Sequence, residues 1–243
     1  MSEHSEAVWQ RGDARKIMRE ARRRFGVLKH DAEFENTPYP HVALASDHYA
    51  LVKRYTAPAP VWKRHLAVWH MRRAVVHAKA AIFVASHPYE LSVDQLDVIQ
   101  TILRKAPGWL GGNVKLAKKI IELALSPSRL DIEEMQPHTR ALLLIGLGEC
   151  ELKMGKPMLD VAKHYDEALR FENDIFSEPD TLMAQRQWVR ILFAAGIFYL
   201  DNCSNNDLKM KGSYCLKRAR ALAKQVSQDQ LEKIEHECAK RGL

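Results

Sequence analysis

The stretch 137–172 limits the fold more than any other, because it reads as two helices of similar length folded back on each other. Its first half is apolar over most of its surface, with Leu142, Leu143, Leu144, Ile145 and Leu147. Gly148 offers a point of close approach, and Gly155 with Pro157 makes the turn. The second half carries Val161, Tyr165, Ala168 and Leu169 on one stripe, at i, i+4, i+7 and i+8. Neither helix can bury its stripe alone, so neighbouring helices must cover both.

The remainder of the chain supplies such neighbours. Residues 5–25 read as a helix with a stripe of Ile17, Ala21 and Phe25, closed by Gly26. Residues 27–43 hold two prolines and no sustained period, and read as a loop. A short helix is expected over 44–55, followed by a break at Ala57–Pro60. A long helix is expected over 61–86, with Trp62, Leu66, Trp69, Val76, Ala80 and Phe83 on its apolar stripe.

Ser92 and Gln95 form a capping-box pattern before a helix over 93–105, and 107–112 is a turn rich in glycine. The helix expected over 113–125 places Ala117, Ile121, Ala124 and Leu125 at the same spacing as Val161, Tyr165, Ala168 and Leu169, an internal echo. Further helices are expected over 179–201 and 207–225, and a last one, charged enough to close a stack, is capped by Ser227 and Gln230. Strand signals are nearly absent. The expected class is all-α: stacked antiparallel helical hairpins forming an α-solenoid or a right-handed α–α superhelix. The expected division is 1–43, 44–127 and 128–243, or else one continuous domain over 44–243.

Apolar residues make up 47% and charged residues 28%, a globular rather than a disordered balance. No apolar run reaches the ~18 residues of a membrane span; the nearest, Ala74–Ala85, contains His77 and Lys79. Glu3 and Glu6 lie where a secretory signal would carry its charged and apolar regions. Cys150, Cys203, Cys215 and Cys238 show no C-x-x-C, which fits a reducing, cytoplasmic setting and no zinc.

No phosphate loop, dinucleotide fingerprint, H-E-x-x-H or nucleophile elbow occurs. His65, His70 and His77 share one expected helix at intervals of five and seven, unlike the i, i+3 or i, i+4 of a zinc pair, and read as packing or surface residues. Carboxylates at Asp166–Glu167, Glu149/Glu151 and Glu133–Glu134 diverge around their helices, so they do not form an acid–base pair. The expectation is a non-enzyme, with no catalytic residue, metal or cofactor.

Charge is the most informative asymmetry. Residues 1–125 hold 20 Lys/Arg against 12 Asp/Glu, and residues 126–243 hold 17 against 18. Arg15, Arg19, Arg22 and Arg23 crowd the first helix; Lys63, Arg64, Arg72 and Arg73 follow in a stretch without any acid between Asp47 and Glu90. Clustered cations with interleaved Trp62, Trp69, Tyr49 and Tyr55 could hold RNA, DNA or an anionic partner. The preferred reading makes them a solvated cationic face with Trp62 and Trp69 in the core, so that Trp69→Ala would cost about 3–5 kcal/mol. A membrane-surface helix over 9–25 is a third reading.

The 137–172 hairpin resembles a tetratricopeptide repeat. Leu147–Gly148 matches the motif's Leu-Gly, Gly155 its turn glycine, and Val161, Tyr165 and Ala168–Leu169 its second helix. Leu144 replaces the usual aromatic, Glu151 a common Tyr and Asn173 the closing Pro, and one extra residue lies between Gly155 and Val161. The resemblance implies a groove facing Ile145, Glu149, Leu152 and Lys153 that binds a protein or peptide. The family's carboxylate-gripping variant has Lys and Asn where this chain has Ile145 and Glu149, which argues against an acidic C-terminal peptide there. The function expected is therefore a helical-repeat adaptor or scaffold, with nucleic-acid binding through the basic half as the alternative.

Overall fold

A computed structural model describes residues 37–56, 64–85, 90–127, 135–177 and 181–243. Among the described residues the architecture is all-α, with no strand. The chain divides into two compact units that meet in sequence at Asn113 and Val114. The helix expected over 5–25, with Arg15, Arg19, Arg22 and Arg23, lies outside the described residues, as do 27–36, the break at 57–60, and Lys63.

In the first unit, α1 runs Pro38–Thr56, so the expectation of a loop over 27–43 is overturned for 38–43. Both prolines fall in the first turn, where backbone N–H groups have no intrahelical acceptor and a missing donor costs little. α2 runs Arg64–Val84 and packs closely along α1. His41 meets His77 and His48 meets His70, so the two helices are antiparallel.

α2 turns Ala67, Met71, Ala74, Val75, Ala78 and Ala81 inward. Trp69, Val76 and Phe83, expected in the core, are instead 49%, 50% and 90% exposed. The physical reason is that α2 is apolar nearly all round and therefore has two candidate stripes. At about 100° per residue, 67, 74 and 78 lie opposite 69, 76 and 83. The alanine side wins because short side chains let the α1 backbone approach.

α3, Val93–Lys105, covers α1 and α2 with Val93, Leu96, Ile99, Ile102 and Leu103. Its capping box forms as read: Gln95 N–H donates to Ser92 Oγ at 3.3 Å, and Ser92 N–H donates to Gln95 Oε1 at 2.9 Å. The glycines that follow make a 3-10 turn, Gly108–Leu110, with Gly111 at φ 89°. A side chain on Gly112 would lie 2.0 Å from the Ala106 carbonyl oxygen. These glycines serve a helix–helix turn.

The second unit contains α4 (Val114–Ala124), α5 (Pro137–Lys153), α6 (Met158–Arg170), the short α7 (Glu172–Phe176), α8 (Thr181–Asn202), α9 (Asn206–Val226) and α10 (Gln228–Arg241). α5 packs on α4, α6 and α8, while α8 also packs on α6, α7, α9 and α10. The internal echo extends to burial: Ala117, Ile121 and Ala124 are buried and Leu125 half-buried, as are Val161, Tyr165, Ala168 and Leu169 in turn. α7 was not foreseen. Ser227 makes no side-chain cap: its backbone N–H, which a capping box would give to Gln230, donates to the Ala223 carbonyl at 2.9 Å, and Gln230 donates to the Arg186 carbonyl at 3.3 Å. Arg186 Nε returns a bond to the Val226 carbonyl at 3.0 Å, tying the α9–α10 junction to α8.

Glycines set the spacing of this core. Gly155, at φ 72°, turns α5 into α6. Gly148 lies against the Tyr165 ring, where an added Cβ would stand 2.7 Å from Cε2. Tyr165 in turn stacks on Phe198, with centroids 4.0 Å apart and planes at 4°. Gly196 and Gly212 bring α8 and α9 together: an added Cβ on Gly196 would be 2.7 Å from Leu216 Cγ and 3.1 Å from the Gly212 carbonyl oxygen.

Tyr165 cannot retreat, because Phe198 lies flat behind it. Gly148→Ala is therefore expected to overpack the α5–α6 contact and cost about 1–3 kcal/mol. Urea unfolding followed by circular dichroism checks it.

Candidate functional site

The exposed side of α2 is the strongest candidate surface. Trp69, Val76 and Phe83 stand seven residues apart, so they form a line about 21 Å long that drifts only about 20° per step. Arg72, Arg73 and Lys79 are exposed and flank that line within about 60° of Val76. The Arg73 guanidinium stands 5.5 Å from the Trp69 ring centroid, a cation–π contact that holds both outward. Arg64 opens α2, and its side chain lies outside the described set. α1 carries the exposed Tyr39, and Lys53 sits 4.8 Å from the Tyr49 ring centroid.

The reverse side of the same helix is occupied by histidines. His48 and His70 are each 6% exposed, and their Nδ1 atoms are 2.8 Å apart. His41 and His77 are half-buried, with Nδ1 atoms 3.2 Å apart. His70 and His77 are thus packing residues. Their α1 partners were missed, although His41 and His48 carry the same interval of seven as His70 and His77. Reading residues up to 43 as loop hid the match. His65 is exposed.

The residues expected to line a groove in the second unit lie as follows. Ile145 is buried at 4% in the core, Glu149 and Leu152 are half-buried, and Lys153 is exposed. Polar ties surround them. Lys118 reaches Glu122 at 2.5 Å and Glu151 at 3.4 Å, and His164 Nε2 meets Glu151 at 3.0 Å, which joins α4, α5 and α6.

Asp166 accepts hydrogen bonds from the Tyr199 hydroxyl and from Lys211, the latter at 2.5 Å. Burial above all, with Asp166 beside it, raises the Tyr199 phenol well above its ordinary range, so it stays a donor. Burial likewise raises the Cys203 thiol, and raises Cys215 to about 11. Both thiols are protonated near neutral pH and make poor nucleophiles. All four cysteines are buried and none forms a disulfide. Among the described residues no group of three His, Cys, Asp or Glu is placed to hold a metal ion. Among the same residues, no helix is long and apolar enough to cross a membrane.

No protein-family model, curated protein or solved structure matches the chain.

With Phe83 90% exposed, Phe83→Ser is expected to leave stability within about 0.5 kcal/mol of the parent. Trp69 still packs on His48 and His70, at centroid distances of 5.6 and 4.8 Å, so Trp69→Ala should cost about 1–2 kcal/mol. Trp188, 1% exposed in the second unit, should cost about 3–5 kcal/mol when replaced by Ala. Urea midpoints of the three variants check that order.

Proposed function

We propose that the protein is a non-enzymatic helical adaptor, and that the exposed side of α2 holds an acidic, amphipathic helix of a partner protein. The observation that supports this reading is the heptad-spaced line of Trp69, Val76 and Phe83 set between Arg72, Arg73 and Lys79. Residues recurring every seven form a seam along which a second helix can lie, and flanking charges select its sign. No acid interrupts the chain between Asp47 and Glu90, so the selected sign is negative.

Magnitudes point the same way. Covering what remains exposed of the three apolar side chains is worth about 3–5 kcal/mol. Association costs at least about 4 kcal/mol in lost freedom, so the cations and further contacts must supply the surplus. The described cations of this face would release counterions for only three phosphates. That gives about a 40-fold loss of nucleic-acid affinity between 50 and 200 mM salt, far short of a dedicated nucleic-acid protein.

In the same reading the second unit is a tetratricopeptide-like stack working in the cytoplasm, where its thiols remain reduced. Nucleic-acid binding is the second reading, supported by exposed Trp69 and Phe83 beside cations, an arrangement on which bases can stack.

The test is fluorescence anisotropy with two probes at about 50 and 200 mM salt. One probe is an acidic helical peptide with heptad-spaced leucines; the other is a random single-stranded oligonucleotide. The adaptor reading expects the peptide to bind and expects Phe83→Ser and Arg73→Glu each to weaken it about tenfold or more. An oligonucleotide that binds and loses about a thousandfold in affinity across that range, with no peptide binding, would reverse the ranking.

A further inference from the structure

Four imidazoles line the contact between α1 and α2. His41 and His48 on one helix meet His77 and His70 on the other, two facing pairs in antiparallel register. The pairs are not separate: His48 also stacks on His77, with centroids 5.9 Å apart and planes at 7°. Tyr55 stacks on His70 at 5.6 Å and Trp69 closes that end edge-on, so the rings form one continuous row.

Each facing pair is joined Nδ1 to Nδ1. Such a bond requires one ring to carry a proton on Nδ1 and its partner to present a bare lone pair. A neutral pair satisfies this once its tautomers are matched. A doubly protonated pair cannot, because two N–H groups then point at each other across 2.8 or 3.2 Å and no acceptor remains.

We propose that this histidine row is a proton-operated latch: in mildly acid solution its protonation separates α1 from α2 while the second unit stays folded. Among the described residues, the groups that meet the row bring it a positive charge. On α1 the group is Tyr55, and Asp47 is the buried carboxylate of the same helix. On α2 they are Trp69 and Arg73, and the Arg73 charge acts on both His48 and His77. α3 packs on both helices and buries Gln100, bound to Asp97, and Arg104. Four imidazolium charges would join that of Arg73 at one helix contact.

Burial is the main cause that lowers all four rings below the ordinary value of 6.5, His48 to about 3 and His70 and His77 to about 4. A depressed folded value means that the unfolded segment takes up protons which the folded one refuses. The latch is therefore fully closed above about pH 6.5 and weakens as pH falls toward 4. At pH 5 each ring neutral in the fold and free when opened lowers the ratio of closed to open forms by about 30-fold.

This inference stands on the α1–α2 contact and does not depend on what the far side of α2 binds. It is tested by amide hydrogen exchange of the full chain at pH 7 and pH 5, corrected for the intrinsic pH dependence of exchange. Protection of 38–56 and 64–84 is expected to fall at least about 100-fold, while α5 and α8 change less than about tenfold. Unchanged protection in α1 and α2, or an equal fall in both units, would overturn the latch. The half-buried pair offers a milder variant, His41→Gln with His77→Gln. It is expected to keep α1 and α2 protected at pH 7 and to reduce their acid loss at least about tenfold. A folded variant with the full acid loss would also overturn it, and if the variant does not fold, the parent comparison decides.

Discussion

The close contact between α1 and α2 is the constraint on which the first unit depends. A helix apolar on nearly every side can pack either way round, and the choice decides what is left for solvent. α2 presents Ala67, Ala74, Ala78 and Ala81 to the interior, and these short side chains admit the neighbouring backbone together with the histidine row. The larger Trp69, Val76 and Phe83 are then forced outward among Arg72, Arg73 and Lys79. A buried polar row and an exposed apolar line are two consequences of one orientation. The row needs matched hydrogen bonds to be tolerated inside, and the line needs a partner to be covered.

The second unit solves the same packing problem with glycine in place of alanine. Gly148 receives the Tyr165 ring, and Gly196 and Gly212 face each other where α8 meets α9. Around these contacts Tyr165, Phe198 and Tyr199 form an aromatic centre, with Tyr199 anchored through its hydroxyl to Asp166. Lys211 and the pair Arg218–Glu172 tie α9 to α6 and α7 near the surface. Exposed ties of this kind contribute little each, so the apolar centre carries the stability and the charges orient the helices.

Much of this organisation was legible in residue patterns. The 137–172 hairpin, its Gly148 contact, the Gly155 turn, the Ser92–Gln95 capping box and the echo between α4 and α6 each rest on a local signal with a single physical meaning. The failures came where one signal had two meanings. Pro38 and Pro40 read as loop formers, yet both are tolerated in a first helical turn. Trp69, Val76 and Phe83 read as a core stripe because large apolar residues usually are, but an alanine line on the opposite side permits closer packing. The Ser227–Gln230 pattern makes no capping box because the Ser227 N–H closes the preceding helix on the Ala223 carbonyl, while Gln230 donates to the Arg186 carbonyl, a partner distant in sequence. The pairing of His41 and His48 with His77 and His70 could have been found by comparing intervals across helices rather than along one.

The orientation of α2 is the central claim, and hydroxyl-radical footprinting of the native protein tests it most directly. Trp69 and Phe83 should be oxidised readily, while Met71, 8% exposed, and Trp188, 1% exposed, should be protected despite their high intrinsic reactivity. If Trp69 and Phe83 proved as protected as Trp188 and Met71 oxidised freely, α2 would face the other way. The aromatic line would then be core, as its residue types alone suggest, and both the partner surface and the histidine row would have to be abandoned.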